Sequence, residues 1–479
     1  MPLLFSLLLI LSGSFGGYEM GTLCLVAAQA ILLAGFVAER HVTSAGAFIF
    51  MSFLFFGMRP LHLLLEGDMD LFGTLFNLTI NQEMLLRGLW WASAGLWCFA
   101  LGVHLQRMGG GWKIRQLSRL SRDRMLAASQ DFFVSSKASN LGLLMQAAAL
   151  AAMMTMSGGG RGLYGSALGA YAYDFPMVLQ GIQIFGIGVA LERWRGRKKG
   201  AARYRLALSF LMLLMTSWLA REVTIFRGAY ITPLMAAGLC LMFRYRGRVS
   251  YFWLIVPLVF LLPLFRTLGE TRMLENKGVK SELADQVAEV LNPASYWRFF
   301  DSGGDMNIFD TFVAANEWEP TKKPYLMSWI YVPLHIVPRK LWAGKPEKGL
   351  LQDVGYTHGA PYSPGIAGFF IGDGGRVWML GCMLVLGGIL SWMDMKILKM
   401  RPGYFKICAY GLVAVNALYL TRFFLWQYTY QLLYMLLPCW GLSKLVKFAR
   451  LRGQGYGDPS EVETSNVDLE RMKIPEAGK

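Results

Sequence analysis

Hydrophobic residues in this chain come in long runs rather than in alternating stripes. Apolar stretches of roughly 15–23 residues recur from one end to the other, the length needed to cross the roughly 30 Å hydrocarbon layer of a bilayer. A hydropathy walk places about twelve of them. They lie near residues 3–16, 19–38, 45–65, 84–105, 140–156, 175–191, 205–220, 228–243, 250–265, 376–393, 405–421 and 427–443. Backbone N–H and C=O groups cannot stay unpaired in lipid, so each run predicts an α-helix. The pattern is that of an all-α polytopic membrane protein.

Composition agrees. The 479 residues are 54% hydrophobic and 16% charged, whereas soluble domains carry nearer 25% charged residues. Disordered, collagen-like and disulfide-scaffold classes are excluded by the same figures. The net charge of +16 would suggest nucleic acid in a soluble chain, but its distribution points elsewhere. Arg107, Lys113, Arg115, Arg119, Arg122 and Arg124 fill one connection, and Arg193 to Arg205 fill a second. Arg244, Arg246 and Arg248 mark a third; Lys396, Lys399, Arg401 and Lys406 mark a fourth, and Lys444, Lys447, Arg450 and Arg452 follow the last run. The connection 66–83 is acidic instead, with Glu66, Asp68, Asp70 and Glu83. With twelve spans, every basic connection falls on one side, cytoplasmic by the positive-inside rule, and both termini lie there.

The segmentation that follows is 1–266 for spans one to nine, 267–374 for a large outer loop, 375–447 for three further spans, and 448–479 for a polar tail. The tail, rich in Gly, Ser and Glu, has the composition of a disordered segment. Leu3–Phe15 reads as a retained first span, because no basic n-region or small-residue cleavage site accompanies it. Within the loop, Leu283, Val287, Val290 and Leu291 share one face of an amphipathic helix that Asn292–Pro293 ends. Such a helix lies on a membrane surface or roofs a cavity. Cys24, Cys98, Cys240, Cys382, Cys408 and Cys439 all sit in or beside apolar runs without CxxC spacing, which reads as buried free thiols.

Candidate chemistry gathers on the outer side. Arg59, Arg221, Arg227, Arg266 and Arg422 fall at one depth near the outer boundary, with Glu222 among them in a tight turn. A single boundary arginine is an ordinary snorkelling anchor. Five from four regions, with few acids nearby, suit a lipid diphosphate held by forked guanidinium bonds. In the loop, His335, Arg339 and Lys340 lie in PLHIVPRKLWAGKP and His358 in THGAPYSPG; a histidine serves as general base near neutral pH. Asp301, Asp305 and Asp310 do not match calcium-loop spacing, and Asn77-Leu78-Thr79 is an isolated glycosylation sequon.

Five segments together resemble the bacterial oligosaccharide repeat-unit polymerases of the O-antigen (Wzy) type. FFGMRPL is similar to an early Y/F-x-x-R-P-L stretch, FRGAY to a small-residue–Arg–Gly turn, and IVPRKLWAGKP to the loop segment I-P-R-x-L-W-x-x-K-P. SPGIAGFFIGDGGRVWMLG is similar to a glycine-rich helix entry, and TRFF carries the late arginine, Arg422. The resemblance implies a metal-independent GT-C-class glycosyltransferase of the bacterial inner membrane with its site facing the periplasm, needing no cofactor. Its donor would be a growing glycan on undecaprenyl diphosphate, its acceptor a lipid-linked repeat unit, and its partner a chain-length regulator. Arg59, Arg221, Arg227, Arg266, Arg339 and Arg422 would hold the diphosphate. Family members often carry an acidic residue about where Phe369 stands, so the acid–base role would pass to Asp373, His358, His335 or Glu222. An O-antigen ligase or related lipid-linked sugar transferase shares the outer arginines. A flippase or transporter is the third reading, for which ionisable groups deep in the spans and paired broken helices are expected.

Overall fold

The computed structural model describes residues 1–66, 81–109, 114–127, 136–158, 174–196, 200–223, 228–246, 249–252, 292, 307–317, 327–334, 342, 364–422 and 425–454. Helix is the only regular structure among them. The chain begins with α1 (Pro2–Gly13), α2 (Tyr18–Val37), α3 (Ser44–Phe53) and, after one π-helical turn at Leu54–Met58, α4 (Arg59–Glu66). Next come α5 (Gln82–Gly109), the short basic α6 (Ile114–Ala127), α7 (Ser136–Gly158), α8 (Asp174–Gly196), α9 (Ala201–Val223) and α10 (Gly228–Arg246). Then follow α11 (Asn307–Glu317), α12 (Met327–Leu334), α13 (Gly365–Lys399), α14 (Tyr404–Leu420) and α15 (Leu425–Gln454).

Five of these helical stretches are long and apolar enough to cross a membrane: Tyr18–Val37, Ser44–Glu66, Gln82–Gly109, Ser139–Ser157 and Gly365–Lys399. Shorter apolar helices at Pro2–Gly13, Phe175–Leu191, Ile231–Tyr245 and Tyr404–Leu420 coincide with four more hydropathy runs. The run 250–265 and the amphipathic helix near 281–291 fall outside the described residues, apart from the first few positions of the former. Two boundaries differ from the hydropathy reading. Arg221 and Glu222, expected in a turn, belong to the last turn of α9. The helix expected from 376 starts at Gly365, because the glycine-rich segment ahead of the apolar run is itself helical.

Small residues set the helix spacing, as they do where lipid offers no hydrophobic drive between helices. Parallel helices α5 and α13 approach so closely that a Cβ at Gly102 would overlap the Leu384 carbonyl, and one at Gly387 the Phe99 carbonyl. A Cβ at Gly181 of α8 would stand 2.5 Å from the Met435 carbonyl of α15. Buried polar side chains add directed bonds between helices. Gln146 of α7 and Gln183 of α8 each donate to the other's backbone carbonyl, at 3.0 and 2.9 Å, and Gln183 also donates to Thr216 of α9. The thiols of Cys240, Cys408 and Cys439 donate to the carbonyls of Ile407, Ile184 and Gly181 on neighbouring helices.

At one end of the bundle the start of α3 meets the ends of α5 and α13 and the first turns of α14. Asp394 of α13 caps α3 by accepting from the Ser44 and Ala45 amides at 2.8 and 3.2 Å, while Thr43 accepts from Gly46. Tyr410 donates to the Val42 carbonyl at 2.7 Å, and Val42 bonds Val249 through the backbone. Arg107, ending α5, pairs with Glu39. Elements of the long 267–374 segment lie at the opposite end, where α5 and α13 begin. We expect Gly102→Leu to overpack the α5–α13 seam, costing about 1–3 kcal/mol or more. The check is a lowered melting midpoint in detergent; an unchanged midpoint would mean that the two helices do not touch there.

Candidate functional site

Four elements converge on Gly365. Its φ of 69° lies in the left-handed region, and a Cβ would sit 2.5 Å from the Thr421 carbonyl oxygen, 3.1 Å from Ile308 Cγ2 and 3.5 Å from Phe56 Cζ. The end of α14, the start of α11 and the π turn before α4 therefore meet at the first residue of α13. Each brings an ionisable residue within one turn: Arg422 beside Thr421, Asp310 after Ile308 and Arg59 after Phe56.

Arg59 faces inward for a local reason. Pro60 has no amide hydrogen, so the carbonyl four residues earlier, that of Phe56, loses its helical donor. The backbone widens there into the π turn, and Gln29 of α2 supplies the missing donor, bonding Phe56 O at 3.3 Å and Ser93 Oγ at 2.9 Å. π turns rotate the following residues and recur at functional sites. Here the turn presents Arg59, fully buried, to Asp310, also fully buried, with Nη2–Oδ2 at 3.2 Å and Nε–Oδ1 at 3.4 Å. Burial raises the Asp310 carboxyl above the usual carboxylate range, and the Arg59 guanidinium opposes that rise. One turn on, His62 is buried, with Nε2 3.4 Å from Glu66 Oε1.

The partner helix is drawn into the bundle. Every residue from Ile308 to Asn316 is buried, with Phe56 edge-on to Phe312 at 5.3 Å and Gly88 of α5 leaving room for Val313. Residues Gly365–Asp373 are equally enclosed. This first section of α13 ends at Gly375, whose φ of 81° and ψ of −177° occupy a region open essentially to glycine alone. Past the break, Arg376 donates from Nε to Asn316 Oδ1 at 3.0 Å and from Nη2 to the Asn316 carbonyl at 2.9 Å, with its guanidinium 5.7 Å from the Trp91 ring centre. Asn316 reaches Glu317, Glu317 pairs with Arg87 at 3.1 Å, and Arg87 pairs with the exposed Glu83 at 2.7 Å. A polar chain thus runs from the surface to the break in α13. Helix α12 closes the junction, Trp329 stacking on Phe370 and Tyr430 of α15 donating to the Val332 carbonyl at 2.6 Å.

Of the residues singled out in the sequence, the structure brings Arg59, Asp310 and Arg422 to this junction. Asp373, buried, lies in the enclosed section of α13 ahead of its break. Arg422 is half-buried at the end of α14, its amide bonded to the Tyr419 carbonyl. Arg221 and Glu222 are described as helix backbone only. His335, His358, Arg227, Arg266, Arg339 and Lys340 lie outside the described residues, as do Asp301, Asp305 and Asn77. Phe369 is buried in the enclosed section. No cluster of three or more metal-ligating side chains occurs among the described residues. Sequence reasoning passed over Asp310 as an ion-pair partner, and it missed His62 and Arg376. An arginine in an apolar run demands a buried acid, which is the signal that would have pointed to Asp310.

Two outcomes follow. Asp310→Ala, which strands the Arg59 charge, lowers stability by about 3–5 kcal/mol, whereas the double variant Arg59→Met/Asp310→Leu loses much less. Melting of all variants in one detergent checks this; additive losses would mean the two side chains do not interact. Gly375→Ala costs about 1–3 kcal/mol through backbone strain alone, since a Cβ there meets nothing within 4 Å. Comparison with protein-family models, with curated proteins and with solved structures finds no match to this chain.

Proposed function

We propose that this protein is a membrane-embedded glycosyltransferase of the repeat-unit polymerase type, working at the junction of α4, α11, α13 and α14. The growing glycan leaves its undecaprenyl diphosphate as the non-reducing-end hydroxyl of a lipid-linked repeat unit attacks the anomeric carbon. The hydroxyl proton passes to a base, and the carbon–oxygen bond to the diphosphate breaks with both electrons on the phosphate oxygen. Arg422 meets the charge that develops there, with Arg221, Arg227, Arg266 and Arg339 as the further cations of the set. Arg59, committed to Asp310, holds α11 in position. Asp373 and the His62–Glu66 pair are the groups of the junction suited to accept the proton, and arginine as counter-charge makes a metal ion unnecessary.

The observation that carries this reading is the convergence at Gly365 of an enclosed half-helix, a buried ion pair and a half-buried arginine. Fixed charges in a water-poor setting are what stabilising a departing diphosphate requires. Twelve spans, a bacterial inner membrane, a periplasm-facing junction and a chain-length regulator as partner belong to the same proposal. The interrupted helix α13 and the buried Arg59–Asp310 pair also favour a second reading, a glycan transporter, because transporters use broken helices and buried charges. Group transfer is preferred because both features bind elements of the long 267–374 segment rather than a second, similar half.

Purified protein mixed in detergent with synthetic undecaprenyl-diphosphate-linked repeat unit and a chelator should yield a ladder of lengthened glycans. A transporter or a ligase lacking its own acceptor yields none. Arg422→Ala should slow lengthening by roughly ten- to a few hundredfold, the worth of one charged hydrogen bond of about 1.5–3 kcal/mol. In cells, Arg227→Ala and Arg339→Ala, expressed at the wild-type level, should leave surface glycan with one repeat. Full ladders from all three variants would remove these arginines from the mechanism.

A further inference from the structure

The basic end of the bundle carries a feature that the proposed chemistry does not use. Lys396 of α13 lies over the ring of Trp392 with its ammonium 5.7 Å from the ring centre, and Lys444 of α15 lies over Trp440 at 5.8 Å. The same Trp-x-x-x-Lys pair thus forms twice, on different helices. Both tryptophans are about half exposed, at 49% and 51%, and both lysines are exposed. The two pairs lie toward the same end of the bundle, because the start of α14 ties both to the end of α13 and to α15 beside Lys444. Tyr404 donates to the Ser443 carbonyl at 3.0 Å, and Lys406 donates to the Leu398 and Met400 carbonyls at 3.0 and 3.1 Å.

We propose that these two pairs form a matched grip on anionic phospholipid headgroups at the basic face of the membrane. Four residues of helix set the Trp and Lys Cα atoms about 6 Å apart along the axis. That offset seats the indole at the glycerol level, where tryptophan is favoured, and carries the lysine out to the phosphates. Apolar side chains continue each exposed stripe inward, Val385 and Ile389 below Trp392 and Leu433 and Leu437 below Trp440, as an acyl chain requires. Charge selects the anionic lipid. Besides Lys406, which is buried against the Leu398 and Met400 carbonyls, residues 392–406 and 440–452 hold Lys396, Lys399, Arg401, Lys444, Lys447, Arg450 and Arg452, against one acid, Asp394. That acid is buried and turned to the Ser44 and Ala45 amides, so it does not screen the surface. The ring also desolvates one side of each ammonium, leaving its other hydrogens for a phosphate oxygen. This inference is independent of the proposed catalysis.

The test titrates full-length protein in detergent with phosphatidylglycerol and with phosphatidylcholine, counting bound lipids by native mass spectrometry. Wild-type protein should prefer phosphatidylglycerol, and the preference should shrink as salt rises. Lys396→Gln/Lys444→Gln should weaken phosphatidylglycerol binding roughly 25-fold, about fivefold per lysine, while Lys396→Arg/Lys444→Arg retains it. The melting midpoint without added lipid should be the same for all variants, separating lost binding from lost folding. Equal retention of the two lipids by wild-type protein would overturn the proposal, as would undiminished phosphatidylglycerol binding by the glutamine variant. If the glutamine variant melts early, the salt dependence of the wild-type protein decides alone, and a salt-independent affinity counts against the grip.

Discussion

An arginine inside an apolar bundle is tolerable only with an acid to meet it. Removing either charge from water costs several kcal/mol, and mutual attraction recovers that only when geometry is good and both side chains are enclosed together. Arg59 and Asp310 satisfy those terms, both at or near zero exposure. Much of the junction follows from this requirement. Asp310 cannot reach Arg59 unless α11 enters the bundle, and α11 cannot enter unless its flanking Phe309, Phe312 and Val313 find apolar neighbours. Small residues at Gly88, Gly365 and Gly368 give them space.

The pair is aimed by a defect and stabilised by its repair. Pro60 removes an amide, the helix widens, and Gln29 replaces the lost bond from another helix. A straight helix through the same residues would turn Arg59 to a different face. The break at Gly375 works in the same direction: it frees Gly365–Asp373 to lie enclosed while the rest of α13 continues along α5, and it delivers Arg376 to Asn316 at the end of α11. Two interruptions of regular helix thus hold one short helix between them. The proposed transfer chemistry draws on this arrangement, since a leaving diphosphate needs cations that are already fixed.

Most of the helices were legible in the sequence because hydrophobic runs of membrane length leave little choice of structure. Their packing was less so. The close seam of α5 and α13 depends on Gly102 and Gly387, which are unremarkable in a chain with 53 glycines. Arg59 was readable as an oddity in an apolar run, yet its partner stands 251 positions away in a segment read as a large outer loop. The stretch IFDTFVAAN is too short to register as a span, and Asp310 was grouped with Asp301 and Asp305 by spacing. Arg376 was hidden for another reason. The hydropathy run starts beside it, and nothing in that pattern marks it as the residue that joins two helices. Arg422 was found because a late arginine at a helix end is conspicuous in both pattern and family resemblance.

Hydrogen–deuterium exchange of the detergent-solubilised protein tests most directly whether the 267–374 segment is built into the bundle. Amides of Phe309–Asn316 should be protected to the same degree as those in the middle of α5, and Asp310→Ala should release them selectively. Exchange of that stretch at the rate of a solvated loop, in protein whose α5 remains protected, would contradict the buried ion pair and the junction built around it.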